Sequence, residues 1–94
     1  MESEKLTEKY LVKRVKAVGG ISLKNNSSNQ KGVPDRMILF KNNKIGFLEL
    51  KSENKKPTKL QAYWLGLLSD LGFKTGVADT KEKVDQFIEE LINI

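Results

Sequence analysis

Residues 45–51, Ile45-Gly46-Phe47-Leu48-Glu49-Leu50-Lys51, limit the fold more than any other stretch of the chain. Up to Leu48 the segment is apolar on both faces of an extended strand, and such a strand needs cover on both sides. It therefore belongs in the middle of a sheet flanked by helices. Lys41-Asn42-Asn43-Lys44 links it to Met37-Ile38-Leu39-Phe40, and two asparagines that tolerate positive φ predict a β-hairpin. Glu49 and Lys51 are the anomaly. Alternation along a strand puts them on one face, with Leu48 and Leu50 on the other. A partly exposed ion pair at a strand end, worth about 0 to 1 kcal/mol, is one explanation. A metal-binding carboxylate beside a lysine that orients water is the other.

The remaining pattern supplies the partners this strand needs. Ser3 can cap a first helix reaching about Val18, closed by Gly19-Gly20, with Leu11, Val12, Val15 and Val18 among its apolar residues. Residues 21–25 alternate as a short strand, and residues 26–32 form a polar loop. Thr58-Lys59-Leu60-Gln61 has capping-box spacing and predicts a second helix carrying Leu60, Trp64, Leu67, Leu68 and Leu71, with Gly72 as terminator. Phe73 to Ala78 reads as a fourth strand. Asp79-Thr80-Lys81-Glu82 then opens a last helix with Val84, Phe87, Ile88 and Leu91 on one face. The predicted order is α-β-β-β-α-β-α, an α/β fold in a single domain over residues 1–94.

Composition narrows the chemistry. The chain has no cysteine and no histidine, which excludes disulfides, zinc-thiolate and histidine metal sites, and every Ser/His or Cys/His nucleophilic device. Catalysis must come from carboxylates, basic side chains, hydroxyls and amides. The net charge of +5 is unevenly spread: Lys9 to Lys59 holds thirteen basic and three acidic residues, whereas the rest holds four basic and nine acidic. A polyanion is the natural partner for such a middle, a solvated lysine-rich surface being the alternative. No apolar run approaches the roughly 20 residues that span a bilayer, and no apolar start suggests a secretory signal. An intracellular, cytoplasmic protein is expected.

Gly32-Val33-Pro34-Asp35-Arg36 precedes the first hairpin strand. Pro34 fixes its own φ and biases Val33 toward an extended conformation, so Asp35 is held at a strand entrance. There it can join Glu49 across the hairpin to hold a hard cation. Glu8 shares a helical stripe with Leu11, Val12 and Val15, so a third carboxylate points toward the sheet.

Pro34-Asp35, a spacer and then Glu49-Leu50-Lys51 resemble the PD-(D/E)xK nuclease motif, and GVPDRMIL followed by FLELK resembles its VRR-NUC branch. The resemblance spans nearly the whole chain. It implies a restriction-endonuclease-like core, a mixed four-stranded sheet flanked by helices. It also implies Mg²⁺ or Mn²⁺ bound by Asp35, Glu49 and the Leu50 backbone carbonyl, with Glu8 as a further ligand. Lys51 would position water or stabilise charge, and Gln61 matches the family's downstream glutamine, although the capping box alone explains it. Small phage members of the branch imply a homodimer acting on branched DNA such as Holliday junctions, in the host cytoplasm. Lys24, Lys31, Arg36, Lys55, Lys56 and Lys59 are the candidate DNA contacts. Tyr63 is free for stacking, whereas Trp64 lies in the apolar stripe.

One conflict follows from the hairpin. If Lys41 faces Lys44, Asp35 lies opposite Leu50 and points away from Glu49. A metal site requires either a shifted register or an Asp35 that precedes regular pairing. The rival functions are a non-catalytic nucleic-acid-binding module on the same fold and an assembly protein with a lysine-rich surface. Converging carboxylates separate the first hypothesis from both, because a phosphate-binding surface gains nothing from them.

Overall fold

The computed structural model describes residues 1–26 and 30–94; residues 27–29 of the predicted polar loop lie outside the described residues. Seven elements follow the predicted order: α1 (Glu4–Ala17), β1 (Ile21–Lys24), β2 (Arg36–Phe40), β3 (Lys44–Leu50), α2 (Lys59–Asp70), β4 (Lys74–Ala78) and α3 (Lys81–Ile92). The strands form one sheet in the order β1-β2-β3-β4. The first three are antiparallel and β4 runs parallel to β3, with α2 as the crossover. β3 is thus central, as its apolar text demands.

The predicted caps form. The Ser3 hydroxyl accepts the Leu6 N–H and opens α1, and Gly19 takes φ 86° just beyond the helix end. Thr58 and Gln61 make the reciprocal capping box of α2, and the Thr80 side chain caps α3.

Side-chain alternation divides the sheet into two unlike faces. One carries Ile38, Leu48, Leu50 and Ala78, buried with Leu11 and Val15 of α1 and Val84, Phe87, Ile88 and Leu91 of α3. Gly46 lies on this face, where an added Cβ would come within 2.8 Å of Phe87 Cζ and 3.0 Å of Leu91 Cδ2. The missing side chain lets α3 lie close to the sheet. Gly46→Val is expected to lower stability by about 1–3 kcal/mol through overpacking, read as a lower urea midpoint. An unchanged midpoint would show that α3 can shift without cost.

The opposite face is less well covered. α2 packs there against β4 and β3, yet none of its residues is buried: Leu60, Tyr63, Leu67 and Leu71 are exposed. The predicted apolar stripe of α2 is therefore split, with Trp64 and Leu68 half-buried and the rest facing solvent. On β1, Ile21 and Leu23 are also exposed on this side of the sheet. Among the described residues, no helix is long and apolar enough to cross a membrane.

Candidate active site

The hairpin register resolves the conflict around Asp35. Phe40 pairs with Lys44, so Lys41, Asn42 and Asn43 make the turn, and Asn42 and Asn43 adopt φ of 66° and 62°. Lys41 therefore does not face Lys44, and Asp35 precedes the regular pairing of β2. The longer turn shifts the ladder so that Arg36 pairs with Leu48, and Asp35, one residue before β2, lies level with Glu49 on the same face. The Asp35 carboxylate does not float at this entrance: its Oδ2 accepts the Leu50 N–H at 2.9 Å.

Glu49 is 2% exposed, and among the described residues its Oε1 has no hydrogen-bond partner. Burial raises its pKa to about 8, helped by the negative charge and the hydrogen bond of the facing Asp35 carboxyl and only partly offset by the Lys51 ammonium. A buried carboxylate with an unpartnered oxygen costs stability unless something positive meets it. Two hard oxygen donors side by side are the set a divalent cation such as Mg²⁺ takes, so the residues present fit that metal. The Leu50 carbonyl lies at the same strand end, on the residue that follows Glu49. Lys51 follows on the Glu49 face, its own N–H donated to the Ala78 carbonyl at 3.1 Å, which fixes the backbone from which its side chain extends.

Two of the expected residues are placed otherwise. Arg36 pairs with Leu48 and so projects to the α1 side of the sheet, where its Nη2 and Nε lie 3.0 and 3.3 Å from Glu8 Oε2. Lys24 approaches the same oxygen at 3.6 Å. The Arg36 side chain is 11% exposed and ties α1 to β2. Glu8, expected as a third converging carboxylate, directs its Oε2 to this guanidinium. Among the described residues, no group of three Asp, Glu, His or Cys side chains is placed to hold a metal. Gln61 spends its Oε1 on the Thr58 N–H at 2.9 Å.

Lys31, Lys55 and Lys56 are exposed in the loops before β2 and after β3, and Lys59 is exposed at the start of α2. β1 and β3 end, and β2 begins, at the end of the sheet that carries Asp35 and Glu49, so the segments bearing these lysines emerge from the same end as the carboxylate pair.

Sequence reasoning missed how the loop after Lys51 is held. Asp79, assigned only to a helix cap, accepts the Asn54 N–H at 2.7 Å and pairs with Lys83 at 2.9 Å. Glu53 accepts the Glu2 N–H and donates its own N–H to the Glu2 carbonyl, while the Glu2 carboxylate accepts the Lys81 N–H. The parallel register of β3 and β4, which ends at Leu50 and Ala78, brings Asp79 to the loop after Lys51, a pairing that no local sequence pattern signals.

No family model matches the sequence. The chain is similar to "Putative nuclease p44" of Acyrthosiphon pisum secondary endosymbiont phage 1, at 40% identity over 75 residues, 80% of this chain and 81% of that protein. A solved structure described as "VRR_NUC domain" superposes with a TM-score of 0.84 at 29% identity, over 95% of this chain and 97% of that one. With the fold, the motif and the relative in agreement, the chain belongs to the VRR-NUC family of PD-(D/E)xK nucleases, as a small member of the phage type.

Proposed function

We propose that this nuclease is a metal-dependent endonuclease that hydrolyses DNA phosphodiester bonds and prefers branched DNA such as Holliday junctions. One observation carries the reading: the half-buried Asp35 and buried Glu49 carboxyls face each other, with an unpartnered Glu49 oxygen, beside Lys51 and at the end of the sheet from which lysine-bearing loops emerge. Asp35, Glu49 and the Leu50 carbonyl would hold Mg²⁺ or Mn²⁺, whose chemistry is to polarise a phosphate and to lower the pKa of a bound water. Lys51 shares a face with Glu49 and orients the attacking water or offsets charge developing on the phosphate. Gln61 has its Oε1 in the helix cap, which leaves the side-chain amide nitrogen to donate to a phosphate oxygen. Lys31, Lys55, Lys56 and Lys59 hold flanking phosphates, and Lys24 contributes from the Glu8 side.

The test is incubation of the purified protein with linear, flapped and four-way DNA in Mg²⁺, Mn²⁺ or chelator. Cleavage is expected in either metal, fastest on four-way DNA, and absent in chelator. Binding without cleavage in both metals would instead favour a DNA-binding module that retains the fold.

A homodimer, with paired cuts at a symmetric junction in the host cytoplasm, is part of the same proposal. The exposed row Leu60, Tyr63, Leu67 and Leu71, together with Ile21 and Leu23, supports it, because such apolar surface marks interaction sites. Light scattering is expected to return twice the monomer mass, and Leu67→Lys to return the monomer mass. A monomeric wild-type chain across the micromolar range would refute the dimer.

A further inference from the structure

A second cavity adjoins the carboxylate pair. Asn54, Lys55, Lys56, Pro57, Val77, Asp79 and Lys83 line about 230 Å³ at the outer edge of the sheet. Val77 pairs with Glu49 in the parallel ladder, so the cavity begins one strand spacing, roughly 4.8 Å, from the candidate site. Lys55 and Lys56 are exposed, and the Lys83 side chain is 56% exposed, so three of the lining residues are solvent-accessible lysines. The single carboxylate already has its counter-charge: among the described residues Oδ1 makes no geometrically aligned hydrogen bond, yet it is ion-paired, and Oδ2 is hydrogen-bonded. Asp79 Oδ1 faces Lys83 at 2.9 Å, and Oδ2 accepts the Asn54 N–H at 2.7 Å. Those two contacts also do mechanical work. Asn54 sits at φ 71°, a conformation that a bonded N–H helps to hold, and Lys83 is drawn toward the cavity from the first turn of α3.

We propose that this cavity is a subsite for the DNA phosphate next to the one being cleaved, with Lys83, Lys55 and Lys56 as its cationic contacts and Asp79 as the residue that positions Lys83 and the 54–57 loop. The ligand class follows from charge: three lysines against one spent carboxylate leave an excess of two positive charges beside a site that takes a phosphodiester. The assignment rests on the proposed DNA cleavage, and its test separates the two.

Binding is measured by fluorescence anisotropy in the Lys51→Ala background, in chelator, across a salt series on fluorescent four-way DNA. Lys83→Gln is compared with Lys41→Gln, which removes the same charge from the hairpin turn at the opposite end of the sheet. One phosphate contact is worth roughly 0.9 in the slope of log affinity against log salt, so Lys83→Gln is expected to lower the slope by about that amount and Lys41→Gln to leave it unchanged. With Lys51 intact, Lys83→Gln is expected to raise KM about five- to tenfold with kcat within twofold, and Lys83→Arg to restore it. Asp79→Asn should reproduce the Lys83→Gln change in slope, and the two together should not add. Lys83 is exposed, so its variants keep the test open if Asp79→Asn fails to fold. An unchanged slope for Lys83→Gln in a protein that cleaves DNA overturns the subsite and leaves the nuclease mechanism intact. A reduced slope in a protein that cleaves in neither metal supports the cavity as a DNA-phosphate contact site, overturns the cleavage proposal, and with it the cavity's place next to a scissile phosphate.

Discussion

Lys51→Ala and Asp35→Asn are each expected to reduce metal-supported DNA cleavage by about 10²- to 10⁴-fold, with stability changed by no more than about 1 kcal/mol. The two effects separate because of how each side chain is held. Lys51 is half-exposed, and the hydrogen bond that fixes its strand comes from its backbone N–H to Ala78, which alanine retains. Asp35 uses one oxygen to accept the Leu50 N–H, and the asparagine carbonyl can accept the same bond at nearly the same volume. What asparagine removes is the second negative charge facing Glu49, and with it the hard donor pair. Gel-resolved cleavage rates in Mg²⁺ and Mn²⁺, alongside urea midpoints, read both quantities. Cleavage within a few-fold of wild type in Lys51→Ala would remove Lys51 from the chemistry. A large fall in the midpoint of either variant would mean that the pair serves the fold.

Most of the architecture was legible because its determinants are local. The apolar text of β3 demanded a central strand, and Ser3, Thr58 and Thr80 mark helix starts by chemistry confined to a few residues. The site was legible as a set of residue types but not as a geometry. Whether Asp35 meets Glu49 turns on one residue in the hairpin turn, and an Asn-Asn pair is compatible with turns of either length. The Glu8 stripe correctly gave a carboxylate turned toward the sheet. It could not reveal that Arg36, on the same side, would reach it first, since that depends on which face each strand residue takes. Periodicity identified α2 as a helix with an apolar row, but periodicity cannot say what covers that row, and most of it faces solvent.

Glu49 gives the metal proposal a readout independent of activity. Its pKa is about 8 in the folded chain without metal, against an ordinary 4.5, the cause being burial first and the facing Asp35 second. Between those values the folded state holds a proton that the unfolded state has lost. The stability contributed by protonated Glu49 is therefore fully present below about pH 4.5 and is lost as pH rises through about 8. In chelator, wild-type stability should fall across this window by an amount on the order of a few kcal/mol, at a slope of at most about 1.4 kcal/mol per pH unit. Glu49→Gln keeps the shape and removes the titration, so it should be inactive in either metal and, in chelator, more stable than wild type at pH 8 and nearly level with it near pH 5. Mg²⁺ or Mn²⁺ should stabilise the wild type at pH 8, where the carboxylate is available, much less at pH 6, where the proton competes, and the glutamine variant at neither. Thermal melts at pH 5, 6, 7 and 8, with chelator or with each metal, make the comparison. If the difference between wild type and Glu49→Gln in chelator does not change with pH, Glu49 is not a buried proton-holding carboxyl. If metal stabilises both chains equally, the cation sits elsewhere.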